Sequence, residues 1–465
     1  KKEGKNSMKA SDFLIGNKLY SLNKSLESNE NKFNFSNYIF KKKIYLIFSI
    51  LFNISLLSFF KYWDWLIELV LISDNSFFHY SLVRPWCNCY QESQIVYDLS
   101  RLKHFIDIPP GISFYTFQTL SYTIDIYRGQ FKPTGKFIHY LTFVAFFPQL
   151  IAGPIERAKN LLPQLVSKKK NLTKKIIQVS IFLITWGLFK KIVFADNLGH
   201  IVNLSRDNID QSGVGFLLAF AFAFQIYCDF SAYTDIARGT ARLFGVKIRR
   251  NFLTPYLAQN PSDFWRRWHI SLSEWARDYI YISLGGNKKG ISRTILNLLL
   301  TMFLIGLWHG AGIFYIIWGI FHGILLVIYR IIPIDKYLML IFGKNLGKTF
   351  SILFMFILTL YGWVFFWSKS REVSSQIIKS FNEIIFLFYK PSMFSEIFYE
   401  IFYGTLIFTI PIIITDIIGF KYKREFAEVQ KIFSTKYKVL LYLIMFYLTL
   451  MFGFRGSLEF IYFQF

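Results

Sequence analysis

The chain reads as an all-α polytopic membrane protein, and three observations predict it. Of its 465 residues 53% are hydrophobic and 20% aromatic, and Phe alone occurs 54 times. A soluble core has no use for so much apolar surface. Apolar runs of roughly 17–22 residues recur along the chain, the length at which a helix crosses a bilayer core. The runs are continuous rather than alternating, which excludes an outer-membrane barrel. Between them lie basic loops: 53 Lys and Arg against 29 Asp and Glu give a net charge of +24. Such residues set membrane orientation. In a soluble domain that charge would point to nucleic acid, but no basic–aromatic platform for a single strand accompanies it.

Residues 1–43 are polar and Lys-rich, and read as a cytoplasmic segment. The sequence opens on Lys1 with no visible signal peptide. It is therefore expected to start with the end of a helix plus a loop, in a chain lacking earlier membrane helices. A membrane domain then covers 44–465. Its runs lie near Ile44–Phe60, Ile112–Tyr127, Phe137–Ile155, Ile176–Ala195 and Val214–Ile236. Further runs lie near Thr294–Trp308, Ile313–Ile331, Phe350–Trp367, Ile397–Ile418 and Val439–Phe454, and Trp63–Ile72 is a shorter half-span.

Loop charge orients these runs. Residues 74–110 carry three basic and four acidic groups and read as external. Within them Cys87-Asn-Cys89 is too short and isolated for a metal site, and with Cys228 as the third cysteine no disulfide framework arises. Both flanks of Phe137–Ile155 are basic, and the run contains Pro148 and ends in Gly153-Pro154. A re-entrant or hairpin element lining a cavity satisfies both facts. Residues 206–213 then read external, 247–293 cytoplasmic, 310–312 external and 330–348 cytoplasmic. Residues 368–396 read external with an amphipathic interfacial helix, 421–438 cytoplasmic, and the C-terminus external. About 9–11 membrane helices plus re-entrant and interfacial ones are expected.

Three of the seven histidines, His269, His309 and His322, fall between Phe264 and Gly323 beside or inside apolar sequence. Water-poor surroundings keep imidazole neutral, able to accept a proton from a hydroxyl. His309 ends an apolar helix before Gly310-Ala-Gly312; position alone leaves it open between a functional base and a histidine bonded to a carbonyl between helices. His269 follows Trp265-Arg-Arg-Trp268 in an amphipathic segment that also reads as an interfacial helix with Trp anchors and snorkelling Arg. His322 lies mid-helix and can serve simply to tie two helices together. Tyr227-Cys-Asp229-Phe-Ser-Ala-Tyr233-Thr-Asp235 brings two carboxylates to the membrane edge, for chemistry or for polar helix–helix bonding. Asn251 and Pro255-Tyr256 read as loop elements shaping an entrance.

An ordered set of motifs runs through this region. Tyr227–Gly239 is followed by Ala241-Arg-Leu-Phe-Gly245, Asn251-Phe-Leu-Thr-Pro-Tyr256, Phe264-Trp-Arg-Arg-Trp-His269, Arg277-Asp-Tyr-Ile-Tyr281 and Leu284-Gly-Gly. Leu307-Trp-His309-Gly-Ala and Trp318-Gly…Phe321-His322-Gly323 come next. Together with Pro110–Gln118, Tyr127-Arg-Gly, Phe147–Pro154 and Phe460–Phe465, the set resembles the membrane-bound O-acyltransferase (MBOAT) superfamily, in its alginate O-acetylase (AlgI-like) branch. Ala232 stands where the branch has Gly, and Ser283 where Pro precedes Leu-Gly-Gly. Residues 74–108 match no part of the pattern.

The resemblance implies a helical fold with a central tunnel, His309 as the catalytic histidine and His269 as the second functional one. His322, Trp308, Asp229 and Asp235 would support them. The implied setting is the bacterial cytoplasmic membrane. The donor would be acetyl-CoA or another acyl thioester, with no bound cofactor or metal, and the acceptor a polysaccharide outside. An exported lipase-like acetyltransferase is an expected partner, besides the lipid bilayer. Charge places His269 toward the cytosol and His309 deeper. Lys247, Arg249, Arg250, Arg266 and Arg267 form a basic rim suited to a CoA-like phosphate, with Arg266, Arg267 and Arg250 as donor-binding candidates. The alternatives are a D-alanyl transferase of the DltB kind, using a charged carrier protein, and a transporter, although no internal repeat is visible.

Overall fold

A computed structural model of the protein describes residues 3–28, 32–72, 109–167, 171–368, 370–429, 432–456 and 460–461. Among these the regular structure is all helical, and eight helices are long and apolar enough to cross a membrane. Cys87, Cys89 and most of the Phe460–Phe465 motif lie outside the described residues. Packing divides the chain into two compact units. The first comprises residues 1–146, 157–166 and 310–312, the second 147–156, 167–309 and 313–465.

The first unit holds α1 (Glu3–Ser28), α2 (Lys32–Ile72), α3 (Ile112–Tyr127), α4 (Phe137–Val144) and α5 (Ala158–Val166). Residues 3–28, expected to end a helix and begin a loop, form one helix that buries Ile15, Leu19 and Leu22. Trp63–Ile72 continues α2, whose membrane-spanning part is Phe40–Trp63. Eight residues, about 12 Å of helix, make α4 too short to cross, as a re-entrant element requires. In α3 twelve of 16 residues are buried, many of them polar, so its hydroxyls and amides need partners inside the unit. Asp12 of α1 supplies one set. Its carboxylate accepts from Ser49 Oγ at 2.7 Å, Asn53 Nδ2 at 3.0 Å and Thr123 Oγ1 at 3.4 Å, and Thr119 Oγ1 donates to Asn53 Oδ1 at 2.7 Å.

The second unit begins with α6 (Lys174–Phe189), which runs through a π-helical segment, Lys190–Ala195, into α7 (Asp196–Asp207). Next comes α8 (Val214–Leu243), 83% buried over its apolar window and therefore the hub of the unit. The short α9 (Pro261–Trp265), α10 (Ile270–Ala276) and a second π-helical segment, Arg277–Tyr281, follow. None can cross, in keeping with the amphipathic character of that stretch. Then come α11 (Gly290–His309), α12 (Ile313–Ile331) and α13 (Ile334–Trp367). The cytoplasmic loop expected at 330–348 is largely helical, broken at Gly343, where φ is +75°. α14 (Arg371–Glu383) is the amphipathic helix foreseen for 368–396, with Ile377 and Phe381 buried. α15 (Glu396–Tyr422), α16 (Phe426–Val429) and α17 (Thr435–Phe452) complete the unit.

Two glycines let α11 and α12 meet. A Cβ on Gly306 would collide with the carbonyl of Tyr315, and one on Gly319 with that of Met302. This small-residue contact is a common device of membrane helix pairs.

Burial raises the Asp12 carboxyl to about 6, against the hydrogen bonds that favour its charged form. The folded state then binds a proton that the unfolded state releases between about pH 4 and 6. Stability contributed by this group is complete below that window and falls as pH rises through it, by about 3 kcal/mol. Asp12→Asn should remove this part of the pH dependence. Detergent-solubilised protein melted between pH 4.5 and 7.5 checks it: equal slopes for wild type and variant contradict the assignment.

Candidate active site

The site grows from α8 and the hairpin that follows it. Backbone bonds from Leu253 N to Arg267 O and from Ile270 N to Asn251 O, each 2.9 Å, clamp 251–253 against 267–270. Asn251 Oδ1 accepts from Ser271 Oγ at 2.6 Å, and Ser271 Oγ accepts from Ile155 N at 2.9 Å. Asn251 thus ties the strap together rather than shaping an open entrance. Held between these bonds, His269 takes φ +39° and Thr254 φ +47°. Among the described residues only Lys423 otherwise joins them as a non-glycine with positive φ. Such backbone strain persists where surrounding contacts enforce it, often at functional sites.

The three histidines of the sequence window come together through indoles. The His269 ring lies 6.1 Å from that of Trp308, Trp308 4.8 Å from His309, His309 4.8 Å from Trp318, and Trp318 5.0 Å from His322. Phe366 closes on His309 at 5.2 Å, and Phe264 stacks on His322 at 5.8 Å. His269 is 0% exposed, His309 5% and His322 1%. Gly362 makes room for His322: a Cβ there would stand 2.8 Å from Nε2. This is a dry aromatic cage, where imidazole stays neutral and electrostatic interactions are strong.

Beside the cage lies a cavity of about 570 Å³. Trp265, Met302 and Ile305 line it, and Arg266, Arg277, Arg330 and Lys336 bring four cations to its lining against one carboxylate, Asp335, with Arg277 also paired to Asp278 at 2.7 Å. Ile305 and His309 are one helical turn apart on α11, and Trp265 stands 5.3 Å from the His322 ring. Neither His269 nor His309 lines this cavity. Of the proposed donor-binding arginines only Arg266 reaches it. Arg267 is bound by Asp263 at 2.9 Å, and Arg250 faces Glu425 at 4.0 Å. Sequence reasoning placed Arg277 in a motif without a donor-binding role, and took Arg330 and Lys336 only as orientation signals.

Asp229 and Asp235 go to cations of the π-helical segment. Lys191 reaches Asp229 at 3.0 Å, and Lys190 reaches Asp235 at 2.8 Å. Arg238 adds a 3.1 Å contact to Asp235, and Ile461 N donates to Asp229 at 2.8 Å. Both carboxylates thus bond helix to helix. Tyr227 donates to Asp416 at 2.9 Å. Among the described residues no group of three or more His, Cys, Asp and Glu could hold a metal ion.

Burial pushes His269 down to about 3 from its ordinary 6.5. The unfolded chain therefore binds a proton below pH 6.5 that the folded chain refuses, and this group's stability contribution, complete above 6.5, is lost as pH falls toward 3. His269→Gln should flatten the acid side of the melting-temperature profile. An unchanged profile would mean that another group sets it.

Known proteins resemble the chain over much of its length. The family model described as MBOAT, membrane-bound O-acyltransferase family, matches residues 131–366, just over half of the chain. A probable alginate O-acetylase AlgI of Pseudomonas putida is 42% identical over 272 residues, 58% of this chain and 54% of the relative. The peptidoglycan O-acetyltransferase of Helicobacter pylori is 33% identical over 365 residues, 73% of this chain and 64% of that one. The teichoic acid D-alanyltransferase of Bacillus subtilis is 30% identical over 233 residues, 47% of this chain and 58% of it. The chain spans about half the length of the alginate relatives it matches. Its membrane helices, its paired histidines and this match lead to one conclusion: the chain belongs to the membrane-bound O-acyltransferase family.

Proposed function

We propose that the protein moves an acyl group, most simply acetyl, from a cytosolic thioester such as acetyl-CoA to a hydroxyl of a polysaccharide outside the cytoplasmic membrane. The observation that carries this reading is the pairing of a dry histidine cage with a cation-lined cavity one helical turn from His309. Arg266, Arg277, Arg330 and Lys336 suit the phosphates of a CoA-like donor. The names of the Pseudomonas and Helicobacter relatives support acetyl as the group and a glycan as the acceptor.

His309 takes the proton of the acceptor hydroxyl as its oxygen attacks the thioester carbonyl carbon. The carbon–sulfur bond breaks, and the thiolate leaves with the proton held by the imidazolium. Trp318 Nε1 has no hydrogen-bond partner among the described residues, and its ring packs on His309. It is the proposed donor to the developing oxyanion. His269 orients this centre through Trp308. Reaction in the cage spares the anionic carrier a membrane crossing. An exported lipase-like acetyltransferase would receive the group, and the C-terminus would face outside. A D-alanyl donor on a carrier protein is the second reading, favoured by the Bacillus relative at lower identity over less of the chain; parallel assays with acetyl-CoA and D-alanyl carrier decide between them.

In folded protein, His309→Gln should lower kcat by about 10²–10⁴-fold. Wild-type turnover in that variant would sink the assignment, and substrate flux without acyl consumption would favour a transporter. Trp318→Phe keeps the ring and removes the donor, so kcat should fall by roughly 10²-fold with KM little changed. A rise in KM alone would place the oxyanion donor elsewhere. Arg277→Gln with Arg330→Gln should instead raise KM for the CoA thioester, most strongly at low salt.

A further inference from the structure

A second cavity, of about 330 Å³, opens where α6 begins and α8 ends. The two helices run close together, because a Cβ on Gly239 would stand 2.8 Å from the Ser180 carbonyl and one on Gly187 2.7 Å from that of Ala232. Their spans start at Lys174 and finish at Leu243, so the opening sits at one edge of the membrane. Lys175, Arg242 and Lys247 line it, and no carboxylate does. Its walls are aliphatic, from Ile176, Val179 and Val246. Outside it Ile177 and Ile181, one turn apart on α6, are 38% and 49% exposed, a continuous apolar track leading away from the cations. The sequence adds four further lysines, at 168–170 and 174.

We propose that this cavity binds one anionic glycerophospholipid. The phosphate sits among Lys175, Arg242 and Lys247, and an acyl chain follows Ile176, Val179 and the exposed face of α6. Three cations gathered on one lining suit an anion. The aliphatic walls distinguish a lipid from a soluble phosphate, which would gain nothing from them. Basic pockets between membrane helices are known to take acidic headgroups. No residue here lines the cation-lined cavity beside the histidines, so the proposal stands apart from the catalytic one.

The test is lipid retention by the full chain, purified from mixed phosphatidylglycerol and phosphatidylcholine micelles and weighed by native mass spectrometry. One phosphatidylglycerol should be held in preference to phosphatidylcholine by roughly tenfold. Lys175→Gln with Lys247→Gln, two exposed positions, should abolish that preference, and Arg242→Gln alone should weaken it. Neutralising Lys168, Lys169 and Lys170 should leave it intact. Loss of the preference in that control, with retention in the Lys175/Lys247 variant, overturns the site in favour of diffuse surface charge. Equal retention of both lipids, or displacement of the lipid by millimolar inorganic phosphate, overturns it as well.

Discussion

The second unit depends on two cations inside an apolar helix. Lys190 and Lys191 are consecutive, so on a regular α-helix they would point about 100° apart. The π-helical turn that contains them widens the helix locally and lets both reach α8, where Asp235 and Asp229 receive them at 2.8 and 3.0 Å. In surroundings this dry a lone charge is costly, and a pair is tolerated only when both members are held in good geometry. Asp196, Arg238, Ser231 and the Ile461 amide supply further bonds. These contacts fix the rotation and depth of α8 against α6 and α7. Every later element of the site is built on that helix.

From α8 the order passes outward through rings. Phe230, one residue beyond Asp229, stands edge-on to His269 at 4.7 Å, and Tyr227 reaches Trp268 at 6.3 Å. Trp268 lies 4.8 Å from Trp363 of α13, and Trp363 continues to Phe366 beside His309. Edge-to-face ring pairs are directional, so an aromatic cage resists sliding more than an aliphatic one does. Gly306 and Gly319 add the backbone approach that brings His309 and His322, on separate helices, against the same indole.

Much of this was legible in the sequence, because apolar length and loop charge are local signals. Eight of the ten longer runs became spans, the Pro148 run held only the short α4, and the window around His269, His309 and His322 proved to be one cluster. Contacts between distant residues were not legible. Nothing local marks Lys190 as the partner of a carboxylate 45 positions away, or Tyr227 as the donor to Asp416, 189 positions away. The π-helical turn leaves no periodic signature in a run that is apolar on every side. Asp229 and Asp235 showed the opposite failing. Their motif was visible and their chemistry ambiguous, and only their partners reveal that they join helices.

That division explains why the site needs both a wet and a dry compartment. On the proposed reading, the four cations at the cavity would attract a polyanionic donor, but water there would screen the donor and compete for its thioester. A histidine enclosed by indoles stays neutral and so keeps a lone pair open to a proton, but it cannot hold phosphate. Trp265 and Ile305 line the cavity, and Trp265 also packs on His322, so on that reading each compartment could keep the dielectric its task requires. Transfer then requires the acyl end of the donor, and not its charged head, to pass the ring wall. A short acyl group would meet that demand with the least displacement of Trp265, which is the physical reason the proposed reading favours acetyl over a longer chain.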